Sequence, residues 1–244
     1  MLARANVQFV HDDPGPAGEP DNVRIFRRCL GPGPDGSGDL PVAVLTRLGE
    51  SPDSDESLDA RCHWLRADPV HLRPDLAGLS MLPTEALDLE IEEARALVDA
   101  LNAHFAGEAF EFEAPSARRW YVRSGAPFDL VTTPPGEALE RELNRSLPGG
   151  PGAARWHGIM NEIQMVLHGA TVNAERSGRR QLAVNSVWLW GEGTLSVAPH
   201  RPFANVWSDD PLVRGLARAS GAHAGPLPER FDAGAVCDAA AEGL

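Results

Sequence analysis

One stretch limits the fold more than any other: WHGIMNEIQMVLHGATVNAERSGRRQLAVNSVWLWGEG, from Trp156 to Gly193. Its first half sets Trp156, Ile159, Met160, Ile163, Val166 and Leu167 at helical spacing, which predicts a helix with one apolar face on a core. His157, Asn161, Gln164 and His168 recur at steps of three or four. They share a polar stripe on that helix. A Thr-Val-Asn and a basic loop follow. Asn185-Ser-Val-Trp-Leu-Trp-Gly-Glu-Gly193 then alternates like a strand and ends in glycines. Three of the six tryptophans lie in this stretch, so it marks the centre of a core. Trp188 and Trp190 are expected beside Ile159, Ile163 and Leu167.

The rest of the chain supplies partners for that pair of elements. Ile91, Ala94, Leu97, Val98, Leu101 and Phe105 fall on one face of a second helix. Asp88 is the expected N-cap, and Gly107 suits the stop. Cys62–Leu72 and Leu79–Leu82 read as strands, with Pro69 at a bulge or an edge. Ala109–Ala114 and Arg119–Arg123 read as two more, and Glu137–Arg145 as a short helix. Val7–Val10 and Asn22–Leu30 suggest short elements before a Gly/Pro-rich loop at Gly31–Pro41. Helices and strands mix without regular alternation. The fold class is therefore α+β, a largely antiparallel sheet packed by two main helices. The expected organisation is a poorly patterned segment 1–57, a core domain 58–193 and a C-terminal extension 194–244.

Charge and motifs narrow the function classes. A net charge of −13 argues against nucleic acid and anionic membranes, whose phosphates would be repelled. No apolar run approaches the length of a membrane span. Three cysteines, Cys29, Cys62 and Cys237, form no C-x-x-C pair, and a reducing cytoplasm is the expected compartment. No nucleophile elbow, P-loop or H-E-x-x-H occurs, and no metal site or resident cofactor is expected. His157 and His168 stand three helical turns apart, too far to share one ion. The polar stripe offers a binding site instead. Asn161, Gln164 and His168 would face Asn173, Arg176 and Asn185 across a cleft. Arg176, the permanent cation of the set, would grip a carboxylate or phosphate, and the amides its remaining oxygens. The other reading has these amides tying loop backbone around a strand end. A small anionic ligand and a protein partner are the expected partners.

A series of motifs occurs in a familiar order. It runs Trp64-Leu-Arg-Ala-Asp-Pro-Val-His-Leu72, Glu92-Glu-Ala94, Leu101-Asn102, Arg119-Trp-Tyr-Val-Arg123, Thr133-Pro-Pro135 and Leu147-Pro-Gly-Gly150. Asn161-Glu-Ile-Gln-Met165, Val172-Asn173, Arg176 and Asn185-Ser-Val-Trp-Leu-Trp-Gly191 complete it. This order resembles a phosphoglycerate-mutase-like family of bacterial RpfE-type regulatory proteins. It is similar also to archaeal-type cofactor-independent phosphoglycerate mutases, in the region that holds their inserted domain. The resemblance implies relatives that move a phosphoryl group through a serine between two divalent metals. Gly136-Glu137 stands where that pattern carries His-Asp, and Ala170-Thr171 where it carries His-Pro. The expectation is a catalytically incomplete relative with a regulatory or ligand-binding role. The alternative is a metal-dependent phosphotransfer enzyme of the mutase type, which alone would need a divalent metal.

Overall fold

The computed structural model describes residues 41–51, 58–59, 61–75, 78–139, 143–195 and 204–228. Val7–Val10 and Asn22–Leu30 lie outside them. The described residues divide into two compact units. The larger holds residues 41–44 and 58–195, and the smaller holds 45–51 and 204–228.

The first described element is α1 (Val42–Glu50). The larger unit continues with β1 (His63–Asp75), β2 (Gly78–Leu82), α2 (Ile91–His104), β3 (Phe110–Glu113) and β4 (Tyr121–Ser124). It ends with α3 (Pro135–Leu139), α4 (Ala153–Gly169), α5 (Thr171–Gly178) and β5 (Ser186–Gly193). Every strand pairing in this unit is antiparallel, as the α+β reading expects. The long strand β1 organises the sheet. Its first half pairs with β4 and β5, its last five residues pair with β2, and β3 extends β4. Pro69 sits inside β1, opposite Val187. It is tolerated because the Ala67 N–H bonds Trp120 O on the β4 side. Two residues on, the missing N–H would point to the same side, beyond the end of that pairing. The Pro69 carbonyl accepts from Thr84 Oγ1 at 2.8 Å.

Alternation along the strands separates two faces. Leu65, Ala67, Phe112, Val122, Val187 and Leu189 pack with Leu97 and Leu101 of α2 and with Ile159, Ile163 and Leu167 of α4. Trp188 lies on the opposite face, clustered with Val70, Met81, Ala138 and Leu143, and Trp190 packs against that cluster. The expected contact between the tryptophans and α4 is therefore corrected: Val187 and Leu189 make it. Burying each such side chain contributes roughly 1.5–3 kcal/mol.

Three local details also differ from expectation. α2 is capped by Glu90, not Asp88. The Glu90 side chain accepts from the third helical N–H while Glu93 accepts from the Glu90 N–H, a reciprocal box. The expected helix Glu137–Arg145 is α3 followed by a separate 3-10 turn at Leu143–Arg145. The expected basic loop after Thr-Val-Asn is the helix α5.

The smaller unit contains β6 (Asn205–Trp207), α6 (Pro211–Ala219) and β7 (His223–Gly225), with β6 and β7 parallel. α6 crosses the later part of α1 at backbone contact. A Cβ on Gly215 would lie 1.7 Å from Leu45 O, and one on Gly49 1.8 Å from Pro211 O. Arg218 Nη1 donates to Leu48 O at 2.9 Å and Ser51 O at 2.5 Å. Arg214 Nε donates to Gly49 O at 3.1 Å. These guanidiniums satisfy the carbonyls left open at the end of α1.

Candidate functional site

The polar residues singled out from the sequence separate into two groups. Asn161, Gln164 and His168 lie on the exposed side of α4. Asn173 and Arg176 are carried three residues apart on α5 and turn inward, 5% and 0% exposed. Asn185 stands just before β5 and is half-buried.

The inward group is occupied with backbone. Asn173 Nδ2 donates to Leu167 O and Val184 O, both at 2.7 Å, while its Oδ1 accepts from Val184 N at 2.9 Å. Asn185 accepts from Leu72 N and donates to Leu72 O, both at 2.7 Å. Each amide thereby does what a neighbouring strand would do. Asn102 of α2, not among the expected site residues, does the same for Phe112, at 2.8 and 2.9 Å.

Arg176 is likewise engaged. Its Nη1 donates to Glu93 Oε2 at 2.5 Å, its Nε to Leu182 O at 2.9 Å, and its Nη2 to Leu87 O. The second Glu93 oxygen accepts from Arg179. Burial pushes the Glu93 carboxyl up. The Glu90 N–H and the guanidiniums of Arg176 and Arg179 outweigh it and hold it below the ordinary carboxylate range. This clamp joins α2 to α5, and it uses the cation that a small anion would have needed.

A second polar cluster sits on the tryptophan face of the sheet. Arg66 and Asp68 of β1 are 5% and 6% exposed. Asp68 Oδ1 accepts from Arg66 Nε at 3.0 Å and Nη2 at 2.6 Å, and Oδ2 accepts from Trp190 Nε1 at 2.7 Å. The guanidinium carbon of Arg66 stands 5.2 Å from the Tyr121 ring centre and 5.1 Å from that of Trp190, within cation–π range of both. Burial pushes the Asp68 carboxyl up, against the pull of Arg66, the Trp190 N–H and Arg119. Sequence reasoning passed over this pair, although opposite charges two apart on a strand share a face.

The glycines closing β5 serve close approach. A Cβ on Gly193 would lie 2.2 Å from Pro41 Cβ, and Gly191, at φ +69°, has Val42 Cβ 3.1 Å from the same position. Between them Glu192 accepts from Phe128 N at 2.8 Å and Leu130 N at 3.2 Å. Arg123 bridges Glu111 and Glu113 across β3 and β4. A groove of about 380 Å³ is lined by Cys62, Asn102, Phe105, Glu108, Glu111 and Arg123 among others. None of the six candidate residues lines it. Among the described residues no three His, Cys, Asp or Glu side chains converge as a metal site. Nor, among them, is any helix long and apolar enough to cross a membrane.

Curated proteins are similar in sequence to about two thirds of this chain. One from Geobacter sulfurreducens, called a probable 2,3-bisphosphoglycerate-independent phosphoglycerate mutase, is 28% identical over 162 residues, 64% of this chain and 41% of that protein. A 2,3-bisphosphoglycerate-independent phosphoglycerate mutase from Methanosarcina barkeri is 26% identical over 169 residues, 66% of this chain and 42% of the relative. The chain is a distant homologue of archaeal-type cofactor-independent phosphoglycerate mutase. This mutase homologue spans about two fifths of the length of those curated relatives. No protein-family model matches it. Among solved structures, the PH0037 protein of Pyrococcus horikoshii is 17% identical with a TM-score of 0.46, covering 77% of this chain and 42% of that one. The cofactor-independent phosphoglycerate mutase of Thermoplasma acidophilum is 16% identical with a TM-score of 0.45, covering 76% and 51%.

Proposed function

We propose that this mutase homologue is a cytoplasmic regulatory or ligand-binding protein, of the RpfE type, and does not itself interconvert phosphoglycerates. The observation that carries the reading is the use made of Arg176. The guanidinium of Arg176 is buried against Glu93 and two carbonyls. Asn173 and Asn185 are likewise spent on backbone. These residues act as scaffold. Gly136-Glu137 and Ala170-Thr171, where the mutase pattern carries histidines, support the same conclusion. The proposed partner is another protein, or a small anion held away from Arg176.

Sequence similarity to phosphoglycerate mutases favours a second reading, a metal-dependent phosphotransfer enzyme. A coupled assay separates the two. Purified protein with manganese, magnesium or zinc is expected to show no interconversion of 2- and 3-phosphoglycerate. Metal-dependent turnover abolished by chelator and restored by metal would establish the second reading.

A further inference from the structure

We propose that the Arg66–Asp68–Trp190 cluster is a register lock, a polar device that decides which face of β5 meets the helices. The need for one is visible in the ladder. Trp64 of β1 faces Gly193 of β5, yet Arg66 faces Trp190. Two steps along β1 thus span three along β5, and the extra residue falls at the bulge around Gly191, whose φ is +69°. Both registers therefore coexist in one strand pair, one residue apart.

Continuing the first register would set Leu189 opposite Asp68. Opposed residues share a face, so Trp188 and Trp190 would turn to the helices and Val187 and Leu189 away from them. The apolar pattern opposes this only weakly. Val187, Trp188 and Leu189 are all at most 1% exposed, so β5 carries buried apolar side chains on both faces. A strand apolar on both sides specifies register poorly.

Polar chemistry supplies the missing discrimination. In the observed register the Trp190 indole N–H reaches Asp68 Oδ2 at 2.7 Å, and its ring lies against the Arg66 guanidinium. In the slipped register Trp190 leaves that face. Asp68 then loses a donor, and Arg66 loses one of its two aromatic walls, both in a buried site. Buried ionic groups contribute little net stability compared with apolar replacements, and fixing register is their best-attested use.

The test is amide and indole NMR of the full chain. In Arg66→Met/Asp68→Leu, which removes both charges and keeps bulk, the amides of Ser186–Trp190 and the indole signals of Trp188 and Trp190 are expected to double or broaden. Signals from α2 should stay single. A single, wild-type-like set for β5 overturns the lock. If the double variant does not fold, Trp190→Phe decides, since it keeps an aromatic ring beside Arg66 while removing the indole N–H that Asp68 accepts from. Doubled β5 amides support the lock, and one unchanged set refutes it. A group contributing only stability would lower the melting temperature of Trp190→Phe without doubling any signal.

Discussion

Replacing Arg176 with alanine tests the reasoning about the clamp most severely. The side chain is fully buried and donates to Glu93, Leu87 O and Leu182 O. Removing it leaves two carbonyls without this donor and a carboxylate held only by Arg179 and the Glu90 N–H. Breaking a buried pair from one side costs about 3–5 kcal/mol. At about 2–4 °C per kcal/mol for a chain of this size, the melting temperature should fall by roughly 6–20 °C. Arg176→Lys should fare little better, because one ammonium lacks the planar fork that reaches three acceptors. The assay is thermal unfolding followed by circular dichroism, with hydrogen exchange of the α5 amides to locate the loss. Acid adds a second signature. Glu93 is held below its ordinary value of 4.5. Its contribution is fully present above that value and is lost as the pH falls through the lower, folded one. Wild type should lose stability over that window more steeply than Arg176→Ala. A variant within about 1 kcal/mol of wild type, with unchanged acid sensitivity, would refute the clamp.

Two further outcomes follow from packing. Trp188→Ala should cost about 3–5 kcal/mol, as truncation of a buried tryptophan does, and urea titration of the variant reads it directly; a midpoint equal to wild type would contradict the placement of Trp188 in a core. Gly215→Ala should disrupt the crossing of α1 and α6, because the new methyl would lie 1.7 Å from Leu45 O; amide exchange should rise in α6, and protection equal to wild type there would show that the helices can part without cost.

What could be read in the sequence divides along physical lines. α2 and α4 announce themselves because each combines length with a clear periodicity, and β1 by a strand-like mixture of apolar and polar residues. The identity of β5 was equally plain, but its orientation was not. Its side chains are apolar on both faces, so alternation reveals a strand without revealing which side meets the helices. α5 was hidden for the opposite reason. Its buried side is Asn173 and Arg176, and a helix that turns polar groups inward shows no apolar stripe. The same inversion led Arg176 to be read as an anion grip. Charge and spacing are identical for a ligand site and for an internal clamp, and only the position of Glu93, 83 residues earlier in the chain, tells them apart. The resemblance to the mutases was legible in the order of motifs, and the sequence similarity to curated mutases agrees with it.

The amide of Asn102 has a consequence for how molecules of this protein behave in a crowd. Among the described residues β3 is the last strand on its side of the sheet, and an unprotected terminal strand is a template on which a second molecule can add its own. At Phe112 the two groups such an intruder would seize are already taken by a side chain from α2. The guard is mounted on a helix, so it lasts only as long as the helix stays docked. Conditions that fray α2 would therefore provoke self-association before global unfolding, with Phe112 as the first point of attachment.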